Sequence, residues 1–345
     1  MRLGLIGLNK NKACRGYVLF CTSFFEGRFV LIDLEGDIVH EWRFPFWPQY
    51  SGYLLPTGNL FFAGRPSHEP LPEHGLAADA KLVESDWNGR IVWQCEAPVQ
   101  HHDARRTSTG GAIYLSVMQL PAETVAQVKG GIPGTDAKGM WGDTIVEVDE
   151  SGRRTWEWNA YEHLDFDKHI LPSDIQRSEW THANSVVPLA DNRVMVSFRH
   201  TSTIAIIDKL SSEILWSVGD ELLSGQHDPN VLPNGNILVF DNGFYRTSYG
   251  SRVIEIDTET KSVVWEYHDR PMMNFYSAGF SSARRLPNGN TLITEGLFGR
   301  MFQVTHEGEV VWEYVNPFFT SNEYGVVVNS VFRAIHYAPN DIPQL

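Results

Sequence analysis

Hydrophobic and polar positions along this chain repeat in units of four short segments. A polar start leads into an apolar run and a turn of the Pro-Asn-Gly kind. A second apolar run follows, then a third that closes on an acidic turn, then a fourth that ends near Trp. The second half of the unit reads "FVLIDLEGDIVHEW" to Trp42 and "AKLVESDWNGRIVWQ" with Trp93. It recurs as "DTIVEVDESGRRTWEW" with Trp156, "TIAIIDKLSSEILWS" with Trp216, "RVIEIDTETKSVVWEY" with Trp265 and "MFQVTHEGEVVWEY" with Trp312. Apolar/polar alternation rich in β-branched residues predicts strands. The Gly-containing acidic turns predict hairpins, because glycine accepts positive φ. Four-stranded repeats of about 40–50 residues predict a β-propeller.

Six such units fill the chain. The expected fold is therefore all-β: a single six-bladed β-propeller domain over residues 1–345, with four-stranded blades. The last blade is split between the termini. "NSVFRAIHYAPN" supplies its first strand, and "GYVLFCTS", "RFVLIDL" and "DIVHEW" the other three. Residues 330–338 are thus expected beside residues 17–23, which removes exposed sheet edges. Three insertions exceed the minimal blade: "GRPSHEPLPEHGLAADA", "QLPAETVAQVKGGIPGTDAKGMWGD" and "YEHLDFDKHILPSDIQRSEW". Long loops on a rigid scaffold often cover sites. Met118, Met140, Trp141 and Trp180 are expected to form an apolar rim or ordinary edge cover, and almost no helix is expected outside these insertions.

Composition narrows the function classes. Of 345 residues, 42% are hydrophobic and 11 are Trp, enough for a large core. The formal net charge of −14 disfavours nucleic acid as a partner. It leaves anionic small substrates open, because a local Arg/His cluster can dominate one cleft. No apolar run reaches membrane-spanning length. The opening "MRLGLIGLNKNKACRG" is too quickly interrupted for a secretory signal. Cys14, Cys21 and Cys95 are odd in number and lack metal-type spacing, so they read as thiols in a reducing cytoplasm. A cytoplasmic protein with no membrane partner is expected; its oligomeric state is left open.

Candidate chemistry lies at the start of the repeats. Counted back from the first turn, one residue per unit falls at the same place: Tyr50, His102, His182, His227, Ser281 and Arg333. First strands line the central channel of a propeller, so these groups are expected to ring one opening. Asp103, Asn184 and Asp228 follow closely and are candidates to orient the imidazoles. Arg199 ends the second strand of the His182 unit, where its planar fork suits an oxyanion. Asn242 is its counterpart in the next unit, and Tyr245 and Arg246 follow it. Arg105, Arg106, Arg284 and Arg285 read as inner-strand or edge residues. His68, His74, His163, His169 and His306 read as surface.

The stretches "WTHANSVVPLADNRVMVSFRHTSTIAIID" and "GQHDPNVLPNGNILVFDNG" resemble the bacterial arylsulfate sulfotransferases. "HHDARRTSTGGAIYL" and "RLPNGNTLITEG" fit the same repeat, so the resemblance covers nearly the whole propeller. It implies a six-bladed fold and transfer of a sulfuryl group from a phenolic sulfate ester to another phenol, without a nucleotide sulfate donor. It implies a transiently sulfated histidine, which by motif is His227. His182, Arg199 and His102 would then bind and polarise the sulfuryl oxygens, with Tyr50, Asn184, Arg333 and Asn242 as further substrate contacts. The partners implied are a small phenolic donor and acceptor, with no cofactor and no metal. Known family members carry a signal and an extra N-terminal β domain that this chain does not show. Two readings of other classes stand beside this one. One is a lyase or hydrolase with a metal on the axial histidines. The other is a propeller that binds a ligand without catalysis.

Overall fold

The computed structural model describes residues 2–23, 26–66, 78–246, 250–321 and 325–345. His68 and His74 lie outside the described residues. The chain divides into two compact units. The first comprises Met1–His68, Val83–Gln94 and His227–Leu345; the second comprises Glu69–Leu82 and Cys95–Gln226.

The fold is all-β and propeller-like, and four separate blade-type sheets stand out among the described residues. Three are in the first unit. One pairs His227–Val231, Ile237–Asp241, Arg252–Ile256 and Val263–Tyr267 in order. A second runs Ser282–Arg285, Thr291–Glu295, Arg300–Val304, Val310–Val315. A third sets the C-terminal strand Ala334–Tyr337 beside Tyr17–Cys21, followed by Arg28–Ile32 and Ile38–Arg43. Its register is Tyr17 opposite Tyr337 and Phe20 opposite Ala334. The second unit holds the fourth: Ala183–Pro188, Arg193–Phe198, Thr203–Asp208, Ile214–Val218. The remaining repeats do not separate in this way. Ile91–Arg106 is one continuous strand of 16 residues, where the repeat pattern implies a break after Trp93.

One departure from the expected blade has a plain cause. Gly4–Leu8 adds a fifth strand to the Ser282–Val315 sheet, pairing antiparallel with Val310–Val315. "GLIGL" is short, yet it covers an otherwise open edge. Among the described residues helix amounts to two α-turns at the insertions, Ala122–Val125 and Ala160–His163, and two 3-10 turns outside them, Met272–Asn274 and Gly296–Phe298, in keeping with the expected scarcity of helix.

The recurring Trp has a structural reason. In four sheets Trp156, Trp216, Trp265 and Trp312 sit opposite Glu147, Ile206, Glu255 and Gln303, each just before a bulge. From there the Trp265 indole donates to the His306 carbonyl (2.8 Å) and that of Trp312 to Leu34 (2.9 Å). Both acceptors lie in the outer hairpin turn of another sheet of the same unit, so the indole latches neighbouring sheets. Trp42 was aligned with this set, but the equivalent place in its sheet belongs to His40, opposite Leu31. His40 performs the same task, with Nε2 2.9 Å from the Trp87 carbonyl and its ring stacked on Trp87. In the Trp156 sheet the latch is Trp158, two residues on, which donates to Ser212 (3.0 Å). Period-two alternation puts residues two apart on the same face, so either can serve.

The insertions build core rather than rim. Met140 and Trp180 are fully buried in the second unit's apolar cluster, against Leu120, Leu164 and Phe198. Trp180 stacks on Phe166 and donates to the His169 carbonyl (2.9 Å). Of the four residues expected at a rim, Met118 and Trp141 keep partial exposure. The other two were misread because an apolar loop can bury its own side chains.

Candidate functional site

Each unit carries one histidine cluster at the start of a blade strand. In the first unit, His227 opens its strand and is buried. Its Nδ1 lies 2.7 Å from Asn242 Oδ1. The Asn242 amide nitrogen donates to the Ser277 and Phe280 carbonyls, at 2.8 and 3.1 Å. Two acceptors on one side fix the amide orientation, so the Asn242 oxygen faces the ring and accepts a proton from Nδ1. The neutral imidazole then keeps its lone pair on Nε2. Asn242 was expected to contact substrate; the structure makes it the residue that sets the His227 tautomer.

Asp228 was expected to orient the same ring. One of its oxygens is engaged elsewhere: Arg284 Nη2 reaches Oδ1 at 2.6 Å and Arg333 Nε lies 2.7 Å from it, while Oδ2 is buried without a hydrogen bond. The cause is backbone conformation. Asp228 adopts φ +53°, which turns its side chain off the His227 side of the strand. Arg284, read from sequence as an inner-strand or edge residue, is thus a ligand of this carboxylate. Arg333 is almost wholly buried, and its Nη1 also donates to Ser51 Oγ at 3.1 Å. Tyr50, at φ +82°, packs with Phe280 and Phe332, and Phe332 meets the His227 ring edge-on at 5.9 Å. Ser281 is buried and accepts from the Gly296 amide. Arg246 is held by Asp241, and Tyr245 packs on Phe244.

The second unit gathers more histidines than the sequence reading singled out. His102 and His182 both stand at φ +51° and their rings meet edge-to-face at 4.7 Å. His101 Nδ1 lies 2.9 Å from His102 Nδ1, and its Nε2 lies 3.2 Å from Asp143 Oδ1. His182 stacks on His200 at 4.5 Å, and its Nδ1 lies 2.8 Å from Glu179 Oε2. The Arg199 amide donates to the His182 carbonyl at 3.0 Å, so strand pairing carries Arg199 to this cluster. Asp143 accepts from the Ala183 amide at 2.9 Å and from the Thr181 hydroxyl, which ties the carboxylate to the strand start. Glu179, His182 and His200 each offer a metal-ligating atom, all within 4.8 Å of one another.

Burial keeps the His182 and His200 imidazoles neutral near pH 7. Burial, then the Arg199 guanidinium, pushes His182 down to about 3. Burial and the neighbouring His182 and Arg199 hold His200 well below its usual value. Burial and the Asp143 charge push the Glu179 carboxyl well up. His101, Asp143, Glu179 and His200 were missed from sequence. The doublet His101-His102 and the Glu179-x-x-His182 spacing were signals; Asp143 had none, because it arrives from an insertion.

The equivalence of the three histidines needs correction. His102 and His227 each stand five residues before the residue that opens their turn, Thr107 and Leu232, but the turn of the His182 blade opens at Leu189, so Asn184 and not His182 holds the equivalent place. The left-handed residue is the histidine itself in two repeats and Asp228 in the third. The first strands bulge at different ladder steps, between His101 and Ala104, Ala183 and Ser185, and His227 and Asn230. Asn184 also differs from expectation. It is fully buried, and its amide donates to the Gln226 carbonyl at 2.7 Å, a structural bond rather than a substrate-facing one. Arg105, Arg106 and Arg285 bind Asp103, the Gly110 carbonyl and Glu255, as edge residues do. His163 and His306 are exposed and His169 is half-buried.

Comparison with known proteins adds a family and a fold. Solved structures resemble the chain at low identity. A protein of unknown function from Bacteroides caccae is 16% identical with a TM-score of 0.54, over 87% of this chain and 93% of that one. A functionally unknown protein from Desulfotomaculum acetoxidans DSM 771 is 10% identical with a TM-score of 0.50, over 94% and 100%. The WD40 β-propeller domain of Doa1 is 10% identical with a TM-score of 0.48, over 97% and 92%. No curated protein matches the chain. Residues 22–223 and 220–324 match the family model described as Arylsulfotransferase (ASST).

Proposed function

We propose that this chain, which belongs to the arylsulfotransferase (ASST) family, moves a sulfuryl group from an aryl sulfate ester to a phenol through His227 and without a nucleotide sulfate donor. The observation that carries the assignment is the Asn242 contact. An amide that holds Nδ1–H leaves Nε2 as the nucleophilic lone pair. In the first step Nε2 bonds to sulfur, the sulfur–aryl oxygen bond breaks, and the phenolate departs with that electron pair. The ring becomes a sulfated imidazolium whose Nδ1–H still faces the Asn242 oxygen. In the second step an acceptor phenol loses its proton, its oxygen bonds to sulfur, and the N–S bond returns its electrons to Nε2. Charge spread over the sulfuryl oxygens needs fixed donors. The resemblance gives that role to His102, His182 and Arg199, and Arg333 and Tyr50 are the substrate contacts proposed on the His227 side. The scaffold proposed for this chemistry is a closed six-bladed propeller, because the repeat occurs six times and closure removes sheet edges. A cytoplasmic location remains part of the proposal, resting on the odd number of thiols, all three buried and free; cell fractionation tests it.

The test is incubation with 4-nitrophenyl sulfate, with and without added phenol, followed by intact-mass analysis. The expected result is a mass gain of one sulfuryl group that phenol discharges, absent from His227→Ala. Turnover by His227→Ala at the wild-type rate would remove the assignment.

A further inference from the structure

Beside His182, two side chains carry a buried polar atom without a hydrogen bond. Glu179 Oε1 and His200 Nδ1 are buried and make no hydrogen bond. Leaving such atoms unpaired in the interior is costly. His200 keeps only 7% of its surface, so water does little to pay this back. Between these residues, His182 Nδ1 shares a proton with Glu179 Oε2 at 2.8 Å. We propose that Glu179, His182 and His200 form a binding site for one divalent first-row transition-metal ion.

The donor set fits that class. Two imidazoles and one carboxylate suit zinc, manganese, iron or cobalt, and three protein ligands leave a coordination position open. Bonds of about 2.0–2.2 Å span at most about 4.4 Å between opposite ligand atoms. The observed set spans no more than 4.8 Å, so small side-chain shifts close it. The ion would replace the proton between His182 and Glu179 and supply a partner for the two unpaired atoms. Asp143 adds negative charge near the same carboxyl, offsetting the Arg199 guanidinium, which repels a cation. Ligand positions are held from behind: the His182 carbonyl accepts the Arg199 amide, and the Thr181 carbonyl accepts the His200 amide at 3.1 Å. The His182 and Glu179 side chains retain 19% and 13% exposure, which gives an ion a way in. This departs from the metal-free site read from the sequence. It also differs from a metal on His102, His182 and His227, because the ligands are neighbours in one unit. The inference does not rest on sulfuryl transfer.

The test is direct binding by the full chain, stripped with a chelator and dialysed. Calorimetric titration with zinc should give one equivalent, and cobalt should give visible d–d absorption. Glu179→Gln, a near-isosteric change, and His200→Ala should each weaken binding by at least about tenfold and bleach the cobalt bands. Circular dichroism checks the fold, and Glu179→Gln keeps the test decisive if His200→Ala fails to fold. No stoichiometric binding, or binding undiminished in folded Glu179→Gln, overturns the site and assigns any bound ion to surface histidines. Sulfation of His227 is read separately by mass, so failure of one assignment is distinguishable from failure of the other.

Discussion

The two histidine clusters solve opposite problems. Around His227 the strong charges are paired: Asp228 Oδ1 faces both Arg284 and Arg333, although its Oδ2 makes no hydrogen bond. The histidine itself is oriented by a neutral amide whose other atoms are occupied. Around His182 the rings lie against one another, a carboxyl is pushed toward its neutral form, and Asp143 Oδ1, Glu179 Oε1 and His200 Nδ1 make no hydrogen bond. The first arrangement is preorganised: a fixed amide sets the tautomer of one ring. The second is electrostatically unfinished, as expected of a place that completes itself only with a ligand. Having histidines in a cluster therefore says little; what occupies the other ring nitrogen says which chemistry is available.

The largest break in this comparison is removal of the presented lone pair. His227→Ala is expected to abolish both aryl sulfate turnover and the covalent adduct, while His102→Ala slows turnover by about 10²–10³ and still forms the adduct. Stopped-flow release of nitrophenolate with parallel intact mass separates the two. Adduct formation by His227→Ala at the wild-type level would exchange the roles of the clusters. Next in size is the charge balance. Asp228→Asn leaves two arginines beside a neutral, buried side chain and should cost about 3–5 kcal/mol in urea unfolding. Glu179→Gln should cost far less, because burial already favours the neutral carboxyl there. Equal losses would mean that the two clusters are not electrostatically different. Third, Asn242→Ala frees the His227 tautomer and should lower turnover about a hundredfold, with the adduct still formed. An unchanged rate would show that the Asn242 contact is structural only.

Much of the architecture was legible because period-two alternation and glycine turns are local signals. The hairpins around Leu34, His306 and Gly235 sit where the motif places them. The site was legible only in part. His102, His182, His227 and Arg199 were found because they recur or sit at a strand end. Their neighbours were not, since a bulge one step earlier or later re-aims a side chain without leaving a mark in the sequence. Asp228 shows this: beside His227 in sequence, it faces two arginines in space. Asp143 and Glu179 reach their cluster from an insertion, where no repeat position exists to compare. Trp42 was misaligned for the converse reason. Residues two apart on a strand share a face, so alignment by residue type cannot tell which one makes the inter-sheet contact.

The smallest expected effect is also the one that most sharply tests the unfinished cluster, because it predicts two slopes of opposite sign. His182 titrates at about 3 in the fold, against 6.5 for a free imidazole. Between those values the unfolded chain takes up a proton that the folded chain refuses, so acidification below about 6.5 favours unfolding. His200 is shifted in the same direction and adds to that loss. Glu179 runs the other way. Its folded carboxyl holds its proton above 4.5, so its penalty grows as pH rises past that value and is relieved by acid. Urea midpoints measured from pH 7 down to pH 4.5 should therefore fall less in His182→Gln than in wild type. They should fall more steeply in Glu179→Gln, where the compensating carboxyl is gone. Parallel curves for all three proteins would show that the His182 cluster is solvated like a surface, and its contrast with the His227 cluster would disappear.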